Sequence, residues 1–440
     1  MTALTKTKTV ALCTIGCRTN QEEMGTLKQN LLSAGYLVTD KPDIADVIIV
    51  NTCSVTALTE SKTEKMIGSY SRDFPRAALL VTGCLAQQKK SDLTKFPGVK
   101  WVVGNREKGK IIQIIQQYEE GVFCPEISDG DVLESKDNRL HSVDPKKTRY
   151  SIKIQEGCSF QCAYCIVPSL RGPSRATGMT ELLDSFKQAI DIGYKEIVLT
   201  GTHIGQYRDP SSGADLLSLI EEILKTSGNF RVRLSSIDPR DLTNELIEMI
   251  AGEEKICDHL HLSIQSFSPR VLERMNRPWR EVESIVHKLT DLRKRNPLVG
   301  LGGDFIVGHP GETEEDFLYS LNIVEQLLFS YGHVFRYSRR PGTSADTFSD
   351  QLPETVKTHR STTLREVLDS TRKKFLSTLQ GQSFNIITES EMPVKGITSN
   401  YIKVRVPGVT AVRNTWLNVK VLESVHNDYC IAEPISRGEL

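Results

Sequence analysis

Three cysteines stand close together at Cys158, Cys162 and Cys165, in the segment GCSFQCAYC. They follow a strand-like run, and Gly157 lets the backbone wrap closely around a bound group. Three thiolates spaced in this way suit a cubane iron–sulfur cluster that leaves one iron without a protein ligand. The spacing therefore indicates a cluster whose open iron can coordinate a small molecule.

Zinc is the alternative metal for these thiolates. A structural zinc site has four ligands, and the nearest further candidates are His141 and His203, which lie well outside the cysteine segment. Ten cysteines are also too few for a disulfide scaffold in a chain of 440 residues. The spacing favours iron–sulfur over zinc, and four isolated cysteines are predicted to be ordinary thiols: Cys13, Cys124, Cys257 and Cys430.

Three further cysteines each follow an apolar run that predicts a strand. Cys17 follows TVALCTIG, Cys53 follows DVIIVN and Cys84 follows ALLVTG. The carboxyl ends of parallel strands meet at one rim of a sheet, where such sheets bind ligands. The three thiols are therefore predicted to converge on a second cluster, the alternative being chance placement at three strand ends.

The elements that must position these cysteines follow from the periodicity. Alternating strand and helix patterns over residues 9–120 predict an open parallel α/β sheet, and the polar residues 121–149 predict a linker. Six further strand and helix pairs over residues 150–380 predict an incomplete (β/α)6 barrel with its chemistry at the carboxyl ends of the strands. Short strands over residues 381–440 predict a small all-β barrel. The fold class is therefore α/β with a C-terminal β domain.

The charge composition limits the kind of partner. Lysine plus arginine and aspartate plus glutamate number 55 each, so any RNA must be held by local basic patches. Residues 336–374 contain nine basic and five acidic residues, which indicates either such a patch or a solvated helix face. The terminal segment adds further basic and aromatic residues: Lys403, Arg405, Arg413, Lys420, Tyr401 and Trp416. The chain shows no apolar run of about 18 residues and no apolar leader, so we expect a cytoplasmic protein without a membrane span.

The cysteine segment resembles the signature of radical S-adenosylmethionine enzymes, in which an aromatic residue, here Tyr164, precedes the last cysteine. The resemblance implies that the open iron binds the methionine moiety of S-adenosylmethionine and that reductive cleavage yields a 5′-deoxyadenosyl radical. It also implies that Tyr164 lies against the adenine.

Longer segments resemble the methylthiotransferase family and, within it, the bacterial tRNA threonylcarbamoyladenosine methylthiotransferases. They include TIGCRTNQEE, VNTCSV, VTGCLAQ, EGCSFQCAYCIVPSLRG, LHLSIQS, FIVGHPGETEEDF and RYSRRPGT. The likeness runs from about Thr9 to the C-terminus, where the β domain resembles the RNA-binding TRAM domain.

This resemblance implies two 4Fe–4S clusters. The cluster on Cys158, Cys162 and Cys165 would generate the radical, and an auxiliary cluster on the other set would handle sulfur, the other set being Cys17, Cys53 and Cys84. A second S-adenosylmethionine would supply the methyl group. Three residues at strand ends are expected to face the cofactor, namely Gly201, Ser235 and Gln265. No catalytic acid or base beyond the cluster ligands is assigned.

The expected substrate is threonylcarbamoyladenosine beside the anticodon of tRNA, methylthiolated at carbon 2. Its carboxylate needs a cation, for which Arg336, Arg339 and Arg340 are the candidates, unless they form a salt-bridged rim. Phe267 and Trp279 depart from the family pattern and are expected to reshape the substrate mouth. An electron donor of the flavodoxin or ferredoxin type is expected.

Two alternatives remain open at the level of sequence. The first is the same chemistry on isopentenyl-adenosine tRNA or on an aspartate of a ribosomal protein. The second is a non-catalytic iron–sulfur protein that binds RNA.

Overall fold

The computed structural model describes residues 8–16, 18–54, 57–120, 147–425 and 429–435. The chain divides into two compact units. The first comprises the chain up to Leu140 with the short segments Gly157–Ser159 and Ile166–Pro173, and the second comprises the rest. Most of the predicted linker, residues 121–146, lies outside the described residues.

The first unit contains the expected parallel sheet, with five strands in the order β2-β1-β3-β4-β5. The strands are β1 Thr9–Thr14, β2 Leu37–Thr39, β3 Val47–Thr52, β4 Ala78–Gly83 and β5 Val99–Val103. The helices are α1 Arg18–Ser33, α2 Ala57–Asp73, α3 Cys84–Gln88, α4 Lys90–Leu93 and α5 Ile111–Glu119. Every residue of β3 and β4 is buried, because helices cover both faces of the sheet and each face has its own apolar core.

The second unit contains six parallel strands, which confirms the predicted partial barrel. They are β6 Arg149–Glu156, β8 Glu196–Gly201, β9 Arg231–Leu234, β11 His259–Gln265, β12 Gly300–Val307 and β13 Tyr331–Arg336. Two short strands complete the sheets β7-β6-β8-β9 and β10-β11-β12-β13, namely β7 Arg175–Ala176 and β10 Ser236–Ile237.

Helices connect these strands, and α6 Val167–Arg171 belongs to the first unit. The others are α7 Met179–Asp191, α8 Leu216–Leu224, α9 Asn244–Gly252, α10 Pro269–Arg274, α11 Val282–Arg295, α12 Glu314–Gln326 and α13 Glu354–Thr378. Local signals set their ends: Gly193, with φ of +107°, follows α7, and Thr313 with Asp316 forms a capping box at α12. No helix among the described residues is long and apolar enough to cross a bilayer.

The C-terminal strands form a closed barrel in the order β14-β15-β16-β18-β17. Their bounds are β14 Ser383–Glu391, β15 Val394–Ile397, β16 Lys403–Val406, β17 Trp416–Val425 and β18 Tyr429–Pro434. Alternate residues such as Ile386, Val404 and Val419 fill the interior. This confirms the expected small all-β domain.

The C-terminal barrel packs against the amino ends of the partial-barrel strands, and both belong to the second unit. Glu196 is completely buried at the start of β8 and binds Arg231 and Arg233 of β9. The two guanidinium groups donate onward to four backbone carbonyls of the C-terminal barrel, those of Asn385, Ile397, Thr398 and Ser399. The C-terminal barrel therefore lies at the amino ends of these strands. The chemistry was predicted at the opposite ends, the carboxyl ends.

Candidate functional site

The loop after β6 carries the three closely spaced cysteines. Gly157 has φ of +75°, and a Cβ atom there would lie 2.1 Å from the Pro173 carbonyl oxygen, so only glycine fits. The backbone of the next residue, Cys158, donates to the Gly172 carbonyl at 3.1 Å. Gly157 therefore starts the tight path that the spacing predicted.

Backbone hydrogen bonds hold the remainder of this loop, which belongs to the second unit. Cys165 N–H donates to the Cys162 carbonyl at 3.0 Å. Ala163 donates to the Met275 carbonyl at 2.9 Å and accepts from Ala345 N–H at 2.8 Å. Because this part of the loop is anchored on both sides, the half-buried thiols of Cys162 and Cys165 are held in place.

Arg277, which the sequence analysis did not identify, places a positive charge beside these thiols. Its side chain is 4% exposed, and Nη1 lies 3.9 Å from Cys162 Sγ and 3.5 Å from the Tyr164 hydroxyl. Its Nη2 lies 2.8 Å from Asp238 Oδ2. Burial opposes ionisation of Asp238, but the hydrogen bond from Arg240 and the charge of Arg277 outweigh it and lower the pKa of Asp238 to about 2. Arg277 therefore stays charged beside Cys162.

The residues expected to face the cofactor lie at the carboxyl ends of β8, β9 and β11. The Ser235 and Thr202 hydroxyls are buried and have no hydrogen-bond partner among the described residues. Gln265 has φ of +68°, a conformation that side chains rarely adopt. Gly201 is required locally, because a Cβ there would lie 2.7 Å from the Gln155 carbonyl oxygen. These two buried hydroxyls, just after the carboxyl ends of β8 and β9, lack a partner among the described residues and fit a site for a polar ligand.

In the first unit, two of the three predicted auxiliary thiols lie at adjacent strand ends. Cys53 and Cys84 are each 4% exposed, and they directly follow the paired residues Thr52 and Gly83 of β3 and β4. Cys17 lies outside the described residues, so its part in this set stays a prediction. The residue before it, Gly16, lies against Cys53, since a Cβ on Gly16 would be 2.7 Å from the Cys53 Cβ.

Polar side chains that the sequence did not reveal surround this rim within the first unit. Asn105 Nδ2 lies 3.7 Å from Cys84 Sγ. Arg171 of α6 is 3% exposed in its side chain, and it donates to Glu23 at 2.7 Å and to Asn20 at 2.9 Å. These contacts fix α6, which follows the cysteine loop, to the rim that carries Cys84. No spacing pattern signals them, because they join residues distant in sequence.

The three arginines proposed for a substrate carboxylate occupy different environments. Arg336 points to α13, where it contacts Glu354 at 3.5 Å and Thr358 at 2.9 Å. Arg339 pairs with Asp346 at 2.8 Å, and both Arg336 and Arg339 are exposed. Arg340 is buried, with 4% exposure. The alternative of a salt-bridged rim describes the first two.

Phe267 belongs to the hydrophobic core and not to the mouth expected for it. It is 2% exposed and packs on Phe305 and Phe329. Trp279 is half-buried, with the Arg280 guanidinium 4.5 Å from its ring.

Much of the basic excess over residues 336–374 is used inside the second unit. Arg360 binds Glu312 at 2.8 Å while buried, Lys357 binds Glu354, and Arg372 donates to a β12–β13 connection at the Ser330 carbonyl. Helix α13 is therefore chiefly a structural element.

The C-terminal barrel keeps a basic outer face, whereas the two aromatic residues noted in the sequence contact the partial barrel. Tyr401 and Trp416 pack over Arg233 and Arg231, at 5.0 and 5.4 Å from ring centre to guanidinium. The exposed side chains include those of Lys395, Lys403 and Arg405, which lie on β15 and β16, with Arg405 3.7 Å above the Tyr429 ring.

Comparison with known proteins places both halves of the chain. Residues 152–324 match the Radical SAM superfamily, and residues 9–104 match Uncharacterized protein family UPF0004. The chain is 37% identical to threonylcarbamoyladenosine tRNA methylthiotransferase MtaB of Bacillus subtilis, over 94% of each chain. It is 33% identical to tRNA-2-methylthio-N(6)-dimethylallyladenosine synthase of Fusobacterium nucleatum, over 94% of this chain and 97% of that one.

Among solved structures, the radical S-adenosylmethionine methyltransferase TsrM of Kitasatospora setae is similar in fold. It aligns with a TM-score of 0.57 and 15% identity, over 77% of this chain and 74% of TsrM.

A cysteine loop at the carboxyl end of a six-stranded partial barrel, matched by the Radical SAM superfamily, defines a radical S-adenosylmethionine enzyme. Because its relatives match it over most of both chains, the chain belongs to the methylthiotransferase family within that class. Its cofactors are S-adenosylmethionine and iron–sulfur clusters.

Proposed function

We propose that this enzyme methylthiolates carbon 2 of threonylcarbamoyladenosine beside the anticodon of tRNA. The observation that carries the choice of substrate is the 37% identity, over 94% of both chains, to a relative named for this activity. A C2–H bond on a purine has no acidic proton, which favours a radical route over a base. We infer a cytoplasmic location from the tRNA substrate, and a flavodoxin or ferredoxin as electron donor.

We assign the radical-generating 4Fe–4S cluster to Cys158, Cys162 and Cys165. When bound there, the cluster and S-adenosylmethionine supply the hydrogen-abstracting radical. The chain itself binds and orients: Arg277 balances the negative charge of the thiolates at 3.9 Å from Cys162 Sγ. The unsatisfied hydroxyl of Ser235 is available to the cofactor, and Tyr164, Gly201 and Gln265 are assigned to the same pocket.

We assign the auxiliary 4Fe–4S cluster to Cys17, Cys53 and Cys84. Support comes from the adjacent ends of β3 and β4 and from Gly16, which brings the chain against Cys53 immediately before residue 17. Asn105 orients toward Cys84 Sγ, and its amide is a hydrogen-bond donor suited to a sulfur with negative charge.

We assign the tRNA backbone to the outer face of the C-terminal barrel at Lys403 and Arg405. Of the three arginines, Arg340 is the best candidate for the threonyl carboxylate, because it is buried, with 4% exposure. Burial strengthens a guanidinium–carboxylate pair by excluding water. Arg336 and Arg339 then hold the rim on which Arg340 sits.

The substrate is tested with reconstituted enzyme and two tRNA preparations, one bearing threonylcarbamoyladenosine and one bearing isopentenyl-adenosine. Nucleoside mass spectrometry should find a methylthio group only in the first. A product only from the second, or only on a ribosomal protein, would refute the substrate and leave the reaction class intact.

The two clusters are tested separately by alanine replacement. Replacing Cys158, Cys162 and Cys165 together should remove about half the iron and all cleavage of S-adenosylmethionine. Replacing Cys53 and Cys84 should preserve cleavage and abolish sulfur transfer. Equal loss of both activities in a folded protein would contradict this assignment, whereas cleavage of S-adenosylmethionine by the wild type would exclude a non-catalytic role.

A further inference from the structure

We propose that His261, Asp304 and His333 bind a divalent transition-metal ion of the Zn²⁺ type, separate from the cysteine clusters. The three residues lie on the neighbouring strands β11, β12 and β13. One ligand atom from each lies within 4.8 Å of the other two. Two imidazoles and a carboxylate are a common donor set for Zn²⁺ or Fe²⁺, and they leave coordination positions open.

The strand register brings these side chains together. Asp304 is paired with His333, and His261 is paired with Gly302, two residues before Asp304. Residues two apart on a strand share a face, so the three side chains project from one side of the sheet. Gly302 makes this possible, because a Cβ there would lie 2.2 Å from the Tyr331 ring, which occupies that space.

Tyr331 orients the first histidine. Its hydroxyl lies 2.9 Å from His261 Nδ1 and 2.8 Å from His259 Nε2, and its single hydrogen is donated to one of them. When it is donated to His259, Nδ1–H of His261 donates to the hydroxyl. The lone pair of His261 Nε2 then faces Asp304 Oδ2, 3.2 Å away.

That arrangement needs a cation, since a nitrogen lone pair and a carboxylate repel each other at this distance. A metal ion between them removes the repulsion, and a partner for the other ring nitrogen is the usual support of a metal-bound histidine. The opposite arrangement, with His261 Nε2–H donating to Asp304, is a metal-free hydrogen bond. Metal binding distinguishes the two.

The triad is accessible to a ligand. The side chains of His261 and Asp304 are 13% and 24% exposed, and His333 is exposed. Ile306, two residues beyond Asp304 on the same face of β12, packs against the cluster of Ala163 and Tyr337. The triad therefore lies on the same side of the sheet as the cysteine loop. At about 3.3 Å per residue, Asp304 is about 7 Å from Ile306 along β12, toward the amino end of the strand.

The test uses the full chain with its cysteines occupied by reconstituted clusters, so that thiols do not compete for the probe. ZnCl₂ is added, excess is removed, and zinc and iron are measured by mass spectrometry, with affinity measured by calorimetry. One equivalent of zinc should bind without change in iron. Asp304→Asn and His333→Gln should each weaken binding at least 100-fold, and Tyr331→Phe about 10- to 100-fold. His359→Gln, at an exposed histidine of α13, is the matched control and should change nothing.

Co²⁺ gives a second measurement. It should show ligand-field bands typical of nitrogen and oxygen ligands, without a sulfur-to-cobalt charge-transfer band. Circular dichroism should show that the near-isosteric variants fold. Zinc binding that is absent, or equal in the wild type and the variants, would overturn the proposal, as would a sulfur charge-transfer band. None of these measurements depends on turnover of tRNA, so failure of the metal-site proposal can be distinguished from failure of the proposed substrate.

Discussion

Replacing Glu196 with glutamine should loosen the C-terminal barrel from the partial barrel. The carboxylate is completely buried and binds Arg231 and Arg233, with 2.7 Å between Glu196 Oε1 and Arg233 Nε. Glutamine keeps the shape but removes the charge, which leaves two buried guanidinium groups without a counterion. Each pair at about 4 Å between charge centres contributes roughly 4 kcal/mol at an effective dielectric constant of about 20. Breaking a buried pair by removing one partner costs about 3–5 kcal/mol, and we expect a loss in this range.

The measurement is urea unfolding, combined with hydrogen exchange of peptides from β14 to β16, which should exchange faster in the variant. Glu222→Gln is the control, because its pair with Lys225 is exposed, with side chains 42% and 69% accessible. Removing an exposed pair should change the free energy of unfolding by less than about 1 kcal/mol.

Acidification supplies an independent check. Burial opposes ionisation of Glu196, but the two arginines outweigh it and hold the folded-state pKa well below the usual range. A depressed carboxyl pKa stabilises the fold above the unfolded value of about 4.3, and this contribution decreases as the pH falls below it. The difference between wild type and Glu196→Gln should therefore narrow from pH 7 to pH 3.5. A difference under about 1 kcal/mol at pH 7, or one independent of pH, would refute the reasoning.

Three further predictions concern binding and coupling. Ser235→Ala should weaken binding of S-adenosylmethionine about 3- to 10-fold in equilibrium dialysis, the value of one hydrogen bond, and unchanged affinity would contradict a cofactor contact. Combined Lys403→Gln and Arg405→Gln should weaken tRNA binding and lower the magnitude of its log–log salt slope by about 1.5, whereas an unchanged slope would remove both from the RNA surface. Arg171→Gln should reduce sulfur transfer and preserve cleavage of S-adenosylmethionine, because the variant loses the buried ion pair between Arg171 and Glu23. Loss of cleavage with sulfur transfer unchanged would contradict this prediction.

Periodicity predicted the strands well where their residues are apolar. The stretch GDFIVG predicts a strand over residues 303–308, whereas the observed strand β12 already begins at Gly300. The sequence does not indicate this earlier start, because glycines disfavour strand assignment. Tertiary packing requires glycine at position 300, because a Cβ on Gly300 would lie 2.2 Å from the Asn400 carbonyl oxygen. Likewise β15, at Val394–Ile397, has too short an apolar pattern to be recognised.

The positions of Cys53 and Cys84 at adjacent strand ends could be predicted, because they depend on the local strand pattern. Arg277 and Arg171 could not, since their partners lie far away in sequence and only the fold brings them together. The surroundings of Tyr401 and Trp416 could not be predicted for the same reason. An aromatic residue in a basic segment suits RNA stacking, but here each covers an arginine of the partial barrel.

The attachment of the C-terminal barrel has a consequence for exchanging it between relatives. Arg231 and Arg233 bind it through the backbone carbonyls of Asn385, Ile397, Thr398 and Ser399. Every amino acid offers a carbonyl, so this surface tolerates sequence change as long as the backbone path is kept. A chimera that retains Arg231, Arg233 and Glu196 can accept a C-terminal barrel of different sequence. If the partial barrel is exchanged instead, these three charged residues must be transferred together.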